Sequence, residues 1–178
     1  MYHGDRELAG HLRNLAKAFS VAPEVYAVWQ QLNASIKARM DLRRYELVTL
    51  AAARRLRSSY CSLAHGSVLL GEFVDADNLQ EIMADHHGAG LEPVDIAVMD
   101  LADKIVVDAS SVTQADVDRL RGFGLSDADV FDVVAAACAR CFFSKMLDAL
   151  GVQPDAEFKA LDPALRETLT VGREIASA

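Results

Sequence analysis

Apolar residues along this chain recur with the 3.6-residue period of an α-helix, and no segment sustains the two-residue alternation with β-branched enrichment that a half-buried strand requires. That pattern restricts the fold class to all-α. Helices are read at about 5–19, 22–37, 41–57, 59–73, 76–86, 93–108, 113–122, 126–150 and 162–176. Several ends carry their own chemistry. Pro23 falls in the first turn of the second helix, and Thr113 with Asp116, like Ser126 with Asp129, has the spacing of a reciprocal N-terminal cap. The run from His86 and His87 through Gly88, Gly90 and Pro93 reads as a loop, because two glycines and a proline interrupt the period.

The 178 residues, with no low-complexity linker and no internal repeat, are expected to form one domain spanning 1–178. A composition of 52% hydrophobic and 25% charged residues, with four prolines, excludes disordered and collagen-like classes. A formal charge of −8 repels phosphate backbones and anionic lipid, so neither nucleic acid nor a membrane is expected as a partner. The one basic cluster, Arg43, Arg44, Arg54, Arg55 and Arg57, lies in a strongly helical stretch and reads as a solvated or salt-bridged helix face. No stretch reaches the ~18 apolar residues of a membrane span, and the N-terminal residues lack an apolar segment behind a basic start, so a cytoplasmic location is expected. Three cysteines, an odd number, fit reduced thiols or a redox site better than a disulfide framework. From Gln153 on, the chain is more polar and reads as a tail packed on the body or on a neighbouring subunit.

The chemically informative stretch runs from Arg44 to His65. Glu46 sits among residues that otherwise read as a buried helix, where an ionised carboxylate is costly unless paired. Ser58 is a natural N-cap for the next helix, which puts Cys61 at the third helical position, where free backbone N–H groups and the helix dipole favour a thiolate, the nucleophilic form. His65 follows Cys61 by one turn on the same face, within reach for proton exchange. If the two helices fold back on each other, Glu46 can orient the imidazole and stabilise its charged form. Taken singly, a cysteine on an apolar helix is usually inert packing and a histidine usually a satisfied polar residue; the constellation carries the argument.

Glu46, eleven intervening residues, then Ser58-x-x-Cys61-x-x-x-His65 resembles the E-x11-C-x2-C-x3-H signature of the alkylhydroperoxidase D/carboxymuconolactone decarboxylase superfamily, with Tyr60 before the second cysteine as in many members. The segments Leu101 to Lys104, Val112 to Arg121, Gly124 to Asp127 and Leu147 to Val152 resemble its peroxidase-related subgroup, so the likeness covers roughly residues 15 to 152. The resemblance implies an AhpD-like helical bundle, a homo-oligomer (trimer or hexamer), no cofactor and no metal. It also implies a thiol-dependent peroxidase in which Cys61, His65 and Glu46 are catalytic, with Ser58 and Tyr60 in support. Ser58 departs from the pattern by replacing the first cysteine. A sulfenic acid formed at Cys61 by a hydroperoxide would then have no resolving thiol within the motif and would need another protein thiol, Cys138 or Cys141, or an external thiol reductant.

Cys138-Ala139-Arg140-Cys141 is a second, literal CxxC. It lies mid-helix, where Cβ atoms three residues apart are about 5–6 Å from each other, against the ~3.5–4.5 Å of a disulfide. Phe131, Val134, Cys138 and Cys141 therefore read as a packed core stripe. His86 and His87, being adjacent, are expected to point apart and hold no metal. Two further functions stay open: a decarboxylase-like acid–base enzyme in which only His65 and Glu46 matter, and a non-enzymatic oligomeric protein with a remnant site.

Overall fold

The computed structural model describes residues 12–177, in which nine α-helices and no strand occur. In chain order these are α1 (Asn14–Ala18), α2 (Pro23–Lys37), α3 (Leu42–Leu56), α4 (Ser59–Glu72), α5 (Ala76–Asp85), α6 (Pro93–Asp108), α7 (Gln114–Gly122), α8 (Asp127–Ala149) and α9 (Pro163–Leu169), with 3-10 turns at Phe19–Val21, Ala109–Ser111 and Ala156–Ala160. The all-α reading holds, and most helix limits fall within two residues of expectation. The part of the first expected helix before Leu12 lies outside the described residues.

Helix α3 is the centre of the packing. From Tyr45 to Ala53 every residue is buried, the behaviour of a helix surrounded by others, and it packs against α4, α6 and α8. Its alanines at 51, 52 and 53 keep neighbouring helices close. Asp41 caps its start by accepting from the Arg44 N–H at 2.9 Å, and Arg57, in the left-handed region at φ 57°, closes its end and reverses the chain directly into α4.

The arginines of the basic cluster are taken up by carboxylates and carbonyls of the same chain. Arg43 bonds Asp95 on α6, Arg54 and Arg55 converge on Asp103 at 3.1 and 2.7 Å, and Arg54 also donates to the Ile82 and Met83 carbonyls at the end of α5. Both expected reciprocal caps form: Asp116 accepts from the Thr113 N–H at 2.7 Å and Asp129 from the Ser126 N–H at 2.8 Å.

Two expectations are corrected. The last helix, expected through 176, ends at Leu169. The chain then crosses the start of α4 as a strap, with Gly172 N donating to Ser59 Oγ at 2.7 Å and Ala176 N to the Pro154 carbonyl at 2.9 Å. These long-range bonds substitute for helical ones. The stripe of Phe131, Val134, Cys138 and Cys141 is not core: Phe131 is 66% exposed, Cys138 is exposed and Cys141 half-buried. Helix α8 is apolar on more than one face, and the face turned inward carries Val133, Ala137, Arg140, Ser144 and Leu147. Its outer side, with Phe142 and the α2 residues Val25, Val28 and Leu32, forms an exposed apolar groove.

The strap has a sharp steric requirement. A Cβ at Gly172 would stand 2.0 Å from the Arg57 carbonyl oxygen, a backbone atom. Gly172→Ala is expected to cost about 1–3 kcal/mol by overpacking and to lower Tm by several degrees, with faster proteolysis after Leu169. An unchanged melting curve and cleavage pattern would show that the strap contributes nothing.

Candidate active site

Helices α3 and α4 lie against each other and bring Glu46 to His65. The Glu46 carboxylate, 1% exposed, accepts from His65 Nδ1 at 2.5 Å and from Lys37 Nζ, at the end of α2, at 3.0 Å. Burial works to raise its pKa, and the hydrogen bond and charge of His65, together with Lys37, outweigh it and hold the carboxyl below its usual range. His65 moves the opposite way from expectation. Burial and the positive charge of Arg140 push it down to about 4 against the pull of Glu46. The imidazole is thus neutral near pH 7, and Glu46 selects its tautomer instead of stabilising its charged form. A carboxylate on Nδ1 requires the proton there, which leaves Nε2 as a base.

Cys61 is the third residue of α4 and is 2% exposed. Ser58 occupies the N-cap position with φ −96° and ψ 96°, but its side chain makes no cap bond, contrary to expectation. It is buried, and its hydroxyl makes no hydrogen bond among the described residues. The first turn therefore keeps backbone donors without a side-chain cap. Among the described residues Cys61 has no hydrogen bond to His65; Arg140 Nη1, from α8, donates to its sulfur at 3.5 Å. Arg140 is 4% exposed. Its Nη2 lies 3.4 Å from Tyr45 Oη, and its guanidinium sits 5.8 Å from the Trp29 ring and 5.7 Å from that of Phe143. Burial works against its charge, but Cys61 and Tyr45 more than offset this and hold its pKa above the ordinary arginine value.

Cys61, His65 and Arg140 line one cavity of about 440 Å³, with Trp29 and Phe143 on one wall and Tyr60 and Asp155 on another. Tyr60 donates a short hydrogen bond to Asp155, which also accepts from the Asn14 N–H at 2.7 Å. Burial and then Asp155 push the Tyr60 hydroxyl well above its usual pKa. Neither cysteine of the second CxxC is among the residues that line this cavity: all three cysteines are free, with Cys138 exposed and Cys141 half-buried on either side of Arg140. Burial, with Cys138 beside it, raises the Cys141 thiol and disfavours its nucleophilic form.

His86 and His87 converge instead of pointing apart. Their rings lie 4.3 Å from each other, and both Nε2 atoms reach Asp100 Oδ1 at 2.9 Å. With Asp85 they form a group whose ligand atoms fall within 4.8 Å. However, Arg54 already occupies His86 Nδ1 at 3.1 Å and Arg119 occupies Asp100 at 2.7 Å, so guanidinium groups hold the places a cation would need.

Lys37, Trp29 and Arg140 join the site without having been singled out from sequence. The signal for Arg140 was present: it is a charge on the inward face of an apolar helix, where a cation needs a partner.

No protein family and no curated protein matches the chain in sequence. Solved structures do match. An uncharacterized peroxidase-related protein from Ralstonia eutropha JMP134, an alkylhydroperoxidase AhpD core, superposes with a TM-score of 0.80 at 21% identity, covering 88% of this chain and 84% of the other. A second uncharacterized peroxidase-related protein, from Silicibacter sp. TM1040, gives 0.81 at 18% identity over 89% and 85%. A debrominase in complex with 2,3,4-tribromopyrrole gives 0.73 at 13% identity over 94% and 87%. The chain has the AhpD-like helical fold.

The neutral histidine predicts a pH dependence. In the unfolded chain His65 titrates near 6.5 and in the folded chain near 4, so the unfolded state binds more protons across that window. Stability is full above 6.5 and falls as pH drops toward 4, and the lowered Glu46 continues the loss below 4.5. His65→Asn, which can keep a donor toward Glu46, is expected to flatten urea-midpoint dependence between pH 6.5 and 4. Parallel curves for variant and parent would mean that His65 is not held neutral.

Proposed function

We propose that this chain is a thiol-dependent hydroperoxide reductase in which Cys61 is the nucleophile and His65, oriented by Glu46, moves the proton. One observation carries the reading: Cys61 Sγ contacts the buried Arg140 cation at the wall of a cavity that a neutral, carboxylate-oriented His65 also lines. Guanidinium and uncapped helix start supply the counter-charge for a thiolate. Fold neighbours described as peroxidase-related support the same class.

In the proposed reaction, His65 Nε2 accepts the Cys61 proton across the shared cavity. The sulfur attacks the distal peroxide oxygen, forming an S–O bond as the O–O bond breaks, and the departing alkoxide takes the proton back as an alcohol. Cys61 leaves as a sulfenic acid, oxidised by two electrons. Ser58 cannot form a disulfide with it, and Cys138 and Cys141 lie off the inward face of α8. Two external thiols complete the cycle: one displaces water to give a mixed disulfide, and the second releases Cys61 with formation of the free disulfide. The decarboxylase-like alternative uses the same Glu46 and His65 without the sulfur, so the two readings separate on Cys61.

The exposed apolar groove between α2 and α8 is assigned to contact with further copies of the chain, in line with the homo-oligomer that the motif resemblance implies.

Hydroperoxide consumption with a small dithiol is expected to vanish in Cys61→Ser and to fall about 10²–10⁴-fold in His65→Ala, the usual range for a lost general acid–base group. Turnover undiminished in Cys61→Ser sinks the peroxidase reading, and an activity lost only in His65→Ala favours acid–base chemistry. For assembly, Val28→Asp combined with Phe142→Asp is expected to shift sedimentation from oligomer to monomer. A monomeric parent chain would remove that assignment.

A further inference from the structure

We propose that Arg140 is an anion-binding residue, and that the cavity beside Cys61 selects small carboxylates with a planar apolar body. This deepens the reading above, because it rests on the cavity being the substrate site, and it names the class of hydroperoxide favoured: one that carries an acid group.

The argument starts from charge pairing. Arg39, Arg43, Arg54, Arg55 and Arg119 each reach a carboxylate within the chain. Arg140 is a buried cation, yet no carboxylate lies within ion-pair distance of it among the described residues. A guanidinium has five N–H donors. Those of Arg140 are served by one sulfur at 3.5 Å and one phenol oxygen at 3.4 Å, and its buried Nε has no partner. When Cys61 is protonated, neither of these neighbours is an anion. Leaving a buried cation in this state is costly, and a carboxylate that bridges two of its N–H groups would relieve it.

The surroundings specify the rest of the ligand. Trp29 and Phe143 stack on each other with centroids 4.5 Å apart and 10° between planes, giving the cavity an aromatic lining next to the guanidinium. Of the other charges that line the cavity, Lys37 is engaged by Glu46 and Asp155 by Tyr60 and Asn14, and Arg13 and Glu157 border it as well. The volume of about 440 Å³ lies within the range of small-molecule sites, about 300–1,000 Å³.

Trp29 is the single tryptophan of the chain, so its fluorescence reports on this cavity without any need for turnover. Benzoate and its uncharged analogue benzamide are titrated into the parent protein and into Cys61→Ala and Arg140→Gln. Benzoate is expected to change Trp29 emission saturably, at least tenfold tighter than benzamide in the parent and in Cys61→Ala. That preference should be lost in Arg140→Gln, whose fold is checked by circular dichroism. Equal binding of the two ligands by the parent, or no saturable response to benzoate, overturns the proposal even if the Arg140 variant does not fold. The two readings fail separately: a benzoate preference without hydroperoxide turnover keeps the anion site and removes the reaction, whereas turnover without that preference does the reverse.

Discussion

Two ions of opposite sign are buried near one another in this fold without pairing, and the arrangement of four helices follows from how each is satisfied. Taking either ion out of water costs on the order of several kcal/mol. Glu46 is compensated by hydrogen bonds from α4 and α2, through His65 and Lys37. Arg140 is compensated by aromatic faces, a phenol and a sulfur. His65 lies under the influence of both, and the balance leaves it neutral: burial and the cation outweigh the carboxylate. A neutral imidazole with its Nδ1 proton held by Glu46 is the form that can accept a proton at Nε2.

The serine at position 58 sits where the chain turns into the helix that carries Cys61. It is fully buried at the turn from α3 to α4, and the turn itself is made by the left-handed Arg57. The start of α4 is held from outside by the C-terminal strap through Ser59 and Gly172, and by Tyr60 on Asp155. The helix that presents Cys61 is therefore held at its start by contacts from outside, without a side-chain cap from Ser58.

Much of the site could be read in advance because it follows the chain locally. Cys61 and His65 are one turn apart on one helix, and a lone carboxylate in an apolar run, Glu46, demanded a partner that the neighbouring helix supplied. The readings that failed concern contacts between distant segments. Ser58 has the composition of a cap, but its hydroxyl is buried at the turn without a hydrogen bond. The adjacent His86 and His87 were drawn together by a third residue, Asp100. The protonation preference of His65 was reversed by its burial and then by Arg140, 75 residues away in sequence.

By itself the sequence determined the all-α class, the helix limits between Pro23 and Ala149, the reciprocal caps at Thr113 and Ser126, and the spacing of Glu46, Ser58, Cys61 and His65, since all of these depend on neighbours within a few residues. Tertiary structure alone decided which face of α8 turns inward. That helix is apolar nearly all round, so periodicity cannot orient it, and the choice was made by what α2 and α3 could pack against. Turning Arg140 to Cys61 placed Phe131 and Cys138 outside, and with that single rotation the helix contributed a cation to the cavity and an apolar face to the surface.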